Sequence, residues 1–128
     1  MKALLVRLSA IGDVVHTLPA LAALHGQGWQ TGWLVEPLAR PLLDGNPALC
    51  ELIEAPSARR FRWADARRSL RRARRWRPDV ALDAQGLWKS AAWARGSGAA
   101  RVIGYARPWR REPSSALLVK ETVEGPAT

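Results

Sequence analysis

The chain has 128 residues, enough for one ordinary domain with a hydrophobic core and too few for two of usual size. Twenty Lys plus Arg against eleven Asp plus Glu leave a formal charge of +9, which favours phosphates, carboxylates, nucleic acid or acidic lipid as partners. A single cysteine, Cys50, excludes an internal disulfide, and the lack of any run of about 18 apolar residues excludes a spanning helix within this chain, leaving peripheral membrane contact.

The first residues, Met1 to Arg7, pair a charge with an apolar stretch too short for a secretory signal, so the expected compartment is the cytoplasm. Residues 2–8 read as a strand, Ser9-Ala10-Ile11-Gly12-Asp13 as a tight loop, and Val14, Val15, Leu18, Leu21 and Ala22 as one helical stripe. Pro19 lacks the amide that bonds back one turn, so the expectation is a short first turn and a restart capped by Thr17. A second strand is expected over 31–36, a short helix over 37–43 closed by Asp44-Gly45-Asn46-Pro47, and a third strand over 50–55. Trp63, Ala66, Leu70 and Ala73 recur at three and four positions, which predicts an amphipathic, arginine-covered helix over 63–76 stopped by Pro78-Asp79. A fourth strand over 80–84, a helix over 87–94 and strands over 101–105 and 117–123 complete the reading. This alternation predicts an α/β domain: a Rossmann-like parallel sheet with helices on both faces.

In such a sheet ligands gather beyond the carboxyl ends of the strands, which singles out two loops. After the first strand, Gly12 permits a tight turn and Asp13 either projects a carboxylate into the crevice or caps the following helix. With one glycine where a dinucleotide fingerprint has three, no nicotinamide or flavin cofactor is expected. After the fourth strand, Asp83, Gln85, Lys89 and Ser90 surround Gly86 at a helix amino terminus, suited to an anion or a sugar, or forming a solvated loop with Lys89 in water. Arg59, Arg60 and Arg62 lie in a loop, where guanidinium forks grip carboxylate or phosphate; Arg67 to Arg77 read mostly as a solvated helix face. His16 has no partner at metal spacing, and Trp63 and Trp76 read as core or boundary residues.

The stretch from Arg7 to Leu21, Arg-Leu-Ser-Ala-Ile-Gly-Asp-Val-Val-His-Thr-Leu-Pro-Ala-Leu, resembles the amino-terminal signature of the lipopolysaccharide heptosyltransferases, glycosyltransferase family 9. Arg59-Arg60-Phe61-Arg62, Asp83 to Ala91, and Arg111-Glu112-Pro113 look like segments of its heptosyltransferase I members, and the resemblance covers nearly the whole chain. It implies a GT-B enzyme of two Rossmann-like domains, of which residues 1–128 form the acceptor-binding one and the nucleotide-sugar-binding one is missing. The implied reaction moves heptose from ADP-heptose to Kdo of Kdo-lipid A, with inversion and without a required metal, at the inner face of the cytoplasmic membrane. Asp13 matches the family's general base. Arg59, Arg60 and Arg62 match residues holding the acceptor's acidic groups, and Ser9, Gly12, Gln85, Lys89 and Arg111 complete the implied acceptor site.

Two readings from other classes compete. The arginine-rich helix suits a nucleic-acid-binding module, but no motif matches a groove-reading or stacking arrangement, so no specific nucleic acid is expected. A non-catalytic domain that binds lipid A or carbohydrate is the other.

Overall fold

The structure, a computed structural model, describes residues 1–85, 88–105 and 121–123, with only the backbone for Ala58, Tyr105 and the last three. Strands β1 (Lys2–Val6), β2 (Gln30–Val35), β3 (Leu49–Glu54), β4 (Val80–Asp83), β5 (Arg101–Tyr105) and β6 (Glu121–Val123) alternate with helices α1 (Ile11–Gly26), α2 (Trp63–Trp76) and α3 (Trp88–Gly96). The sheet order is β3-β2-β1-β4-β5-β6, and each described pair is parallel. This is the Rossmann order, and it bears out the expected α/β class.

The central strand shows why the chain folds this way. Side chains alternate across a strand, and in β1 both sets are apolar, so both faces must be covered. Leu4 and Val6, with Leu8 just beyond, pack with Leu34 and Ile53 beneath Ala66 and Ala73 of α2 and Ala91 and Ala94 of α3. Leu5 faces the other way, onto Trp33, Val35 and the α1 residues Val14 and Leu21. Trp76 lies across β2 so closely that a Cβ on Gly32 would stand 3.1 Å from its ring, which accounts for a glycine inside a buried strand.

Three expectations are corrected. Helix α1 runs unbroken through Pro19; Pro19 and Val15, the residue whose carbonyl loses its partner, are both exposed, so water can take that bond. Thr17 caps no restart, and its hydroxyl donates to the Asp13 carbonyl at 2.9 Å. The helix expected over 37–43 shrinks to one 3₁₀ turn, Arg40–Leu42. Trp63 is not core: it is 75% exposed at the start of α2, whereas Trp76 packs against the core as expected. Of the last expected strand, the described part is Glu121–Val123.

Candidate functional site

From β1 the chain runs outward through β2 and β3, then returns to build β4, β5 and β6 on the other side. The loops after β1 and β4 therefore belong to connections that run in opposite directions along the sheet, the position at which open α/β sheets place their ligands. Register places Val6 beside both Leu34 and Asp83, so Arg7 leaves the sheet level with Ala84. Its guanidinium joins the two loops: Nη1 donates to the Ala84 carbonyl, and Nη2 lies 3.1 Å from Oδ2 of Asp13. The Arg7 backbone is pinned in turn by the Trp33 indole, whose Nε1 donates to the Arg7 carbonyl at 3.0 Å.

Asp13 sits in the first turn of α1, where the unpaired amides and the helix dipole favour an anion. The cap position belongs to Ala10, which has φ 37 and ψ 129, a conformation that costs an L-residue roughly 1–3 kcal/mol. The positive φ expected at Gly12 is thus carried by Ala10. Gly12 lies inside the helix, where an added Cβ would meet nothing within 4 Å. With its side chain 36% exposed, Asp13 is held by Arg7 and still reachable from solvent. Ser9 is half-buried in the same loop.

One step further out, the Leu8 amide donates to Oε1 of Gln85 at 2.8 Å, and the Glu36 amide donates to the Leu8 carbonyl at 2.9 Å. Gln85 is buried, and its own amide donates to the Asp83 carboxylate at 3.1 Å. Lys89, from the first turn of α3, does not point into water: its Nζ is 2.7 Å from Oε2 of Glu36, a carboxylate only 10% exposed. Glu36 thus ties the end of β2 to the start of α3.

Beside this edge lies a cleft of about 1080 Å³ between the end of β2 and the start of α2. Arg59, Arg60, Arg68 and Arg72 form its cationic side, and Glu36 and Leu38 stand among the other lining residues. Arg62 and Asp13 lie outside the lining; Arg62 takes the cap position of α2. Arg68 pairs with Asp65 at 3.8 Å and Arg72 with Glu51. Of the expected site residues, Asp13, Ser9, Gly12, Gln85 and Lys89 lie at the β1 and β4 ends, and Arg59 and Arg60 line the cleft; Glu36, which was not among them, pairs with Lys89 and also lines the cleft. Arg111 lies outside the described residues.

Sequence reasoning missed Arg7 and Glu36 as parts of this edge. Each directly follows a buried strand, a position where a charged residue has to find a partner or face the crevice.

No family model matches the chain. Among curated proteins it is similar to lipopolysaccharide heptosyltransferase 1 of Pseudomonas aeruginosa, 39% identical over 88% of this chain and 34% of the relative. The corresponding protein of Salmonella typhimurium is 36% identical over 92% of this chain and 40% of the relative. The chain therefore spans between about a third and two fifths of the length of these relatives. Among solved structures it is similar to the E. coli heptosyltransferase WaaC, one with ADP and one with ADP-2-deoxy-2-fluoro heptose. Both give a TM-score of 0.86 at 27% identity and cover all of this chain and 42% or 44% of those chains.

Proposed function

We propose that this chain, a member of the lipopolysaccharide heptosyltransferase family, is the acceptor-binding half of an inverting enzyme that transfers heptose from ADP-heptose to Kdo of Kdo-lipid A. The observation that carries the reading is the half-exposed Asp13 carboxylate, held by Arg7 where the loops after β1 and β4 diverge. In the reaction an acceptor hydroxyl attacks the anomeric carbon of the heptose. Asp13 takes the hydroxyl proton as the new C–O bond forms, and the bond to the β-phosphate breaks to release ADP. General-base assistance of this kind contributes about 10²- to 10⁴-fold.

Arg59 and Arg60 hold the acceptor's carboxylates and phosphates in the cleft, because guanidinium forks bind such groups bidentately, and Arg62 joins them from the cap position of α2, outside the cleft lining. Ser9 and Gly12 border the base, and Gln85 and Lys89 keep the facing loop in place through Leu8 and Glu36. Arg111 completes the acceptor site. The ADP-heptose donor is bound by a second Rossmann-like domain beyond this chain, and one domain alone transfers little, because catalysis needs both substrates positioned together. An acceptor anchored in lipid puts the enzyme on the cytoplasmic face of the inner membrane. Among the described residues no helix is long and apolar enough to cross a membrane.

Titrating Kdo-lipid A into this chain tests the reading. Saturable binding is expected, weakened about tenfold or more by Arg59→Ala and by Arg60→Ala, with transfer recovered when the donor-binding domain is supplied in trans. Binding indifferent to both substitutions would overturn it.

A further inference from the structure

Helix α2 carries two arginine rows with different surroundings. Arg68 and Arg72 line the cleft and pair with Asp65 and Glu51. On the outer side, Trp63, Arg67, Arg71 and Arg75 follow one another at four-residue intervals and so form a single ridge. All four are exposed, and the three arginines make no ion pair among the described residues. At the start of the ridge Trp63 meets Phe61 edge to face, ring centroids 4.9 Å apart, although the two are 75% and 42% exposed. The buried side of α2 is Ala66, Ser69 and Ala73, so neither the ridge nor the aromatic pair is needed to hold the helix on the sheet.

We infer that this ridge and the Phe61–Trp63 pair form a docking surface for an anionic phospholipid bilayer. The arginines contact lipid phosphates, while the two rings enter the interfacial zone. Three features select this occupant. A row of unpaired guanidiniums complements an anionic surface. In the exposed aromatic pair the amphipathic Trp63 indole suits headgroup depth, and the apolar Phe61 ring beside it suits the acyl boundary just below. A chain with a formal charge of +9 disfavours a second copy of itself on the same ridge. Single-stranded nucleic acid is the weaker fit, because stacking needs aromatic residues along the track, and beyond Trp63 this ridge holds only arginine. The inference rests on the proposed lipid-anchored acceptor for its purpose: Arg59 and Arg60 lie just ahead of the aromatic pair, so docking would bring the cleft mouth to the bilayer.

The test is flotation of the 128-residue chain with vesicles of phosphatidylcholine containing one-third phosphatidylglycerol, which carry no acceptor sugar. Expected is binding that falls about a hundredfold when Arg67, Arg71 and Arg75 are all changed to Glu, and that survives their change to Lys. Brominated lipid should quench tryptophan fluorescence in the parent, and Trp63→Phe should remove most of that quenching. The surface is overturned by vesicle binding that ignores the three Glu substitutions, by quenching that persists without Trp63, or by tighter binding to DNA than to vesicles at equal salt. Absence of vesicle docking by the unsubstituted chain, with Kdo-lipid A capture intact, refutes the surface alone. Intact docking with no capture refutes the acceptor reading alone.

Discussion

Arg7 and Arg71 bear the same side chain in opposite circumstances. Arg7 is half-buried at the end of β1, with its guanidinium spent on the Ala84 carbonyl and the Asp13 carboxylate; its Nε is buried without a hydrogen-bond partner among the described residues. Arg71 stands in water on a helix already anchored by its opposite side. The first organises the edge of the candidate site and is costly to disturb; the second is free to meet something outside the molecule. An abundance of arginine therefore has no single meaning in this chain, and burial together with the partner atom separates the two populations.

Substitutions can break or sharpen this contrast. The largest loss is expected at Trp33, fully buried beneath α1 with its indole on the Arg7 carbonyl: Trp33→Ala should cost about 3–5 kcal/mol in chemical denaturation. Arg7→Met should cost about 1–3 kcal/mol, since it strands the Ala84 carbonyl and removes the ion pair between Arg7 and Asp13. Lys89→Met leaves the buried Glu36 carboxylate without its ion pair and should cost roughly 1–2 kcal/mol, recovered in part by pairing it with Glu36→Gln in a double-mutant cycle. Arg71→Ala should change stability by less than about 0.5 kcal/mol. If Arg7→Met proved as harmless as Arg71→Ala, the distinction between the two arginines would collapse.

Much of the fold was legible because both its periods are strong. The apolar run from Ala3 to Val6 announced a strand buried on both faces, and the spacing of Ala66, Leu70 and Ala73 placed α2 at its observed limits. Local rules failed where tertiary context decides. Pro19 argues for a break, yet α1 is held against the sheet by Val14 and Leu21 on either side of it. Trp63 has core-like spacing, but it stands at the first residue of α2, 75% exposed with Phe61 as its ring partner.

The candidate site was legible in part. The place of Asp13 after β1 and of Arg59 and Arg60 ahead of α2 could be read from their order relative to the strands, while their roles came from the family resemblance. Gly12 is the residue type that permits a tight turn, while the positive φ falls on Ala10, a strain no side chain advertises. Lys89 could face water or ligand on sequence grounds, and its partner Glu36 is 53 residues away, a pairing that only the parallel strand order creates.

The most direct measurement is the turnover of Asp13→Asn in a transferase that joins this chain to the proposed donor-binding domain, beside the affinity of the same variant for the proposed acceptor, Kdo-lipid A. Turnover about 10²- to 10⁴-fold lower with acceptor affinity little changed is the predicted result. Near-normal turnover would show that the proton leaves by another route, and the role given to this carboxylate would be wrong.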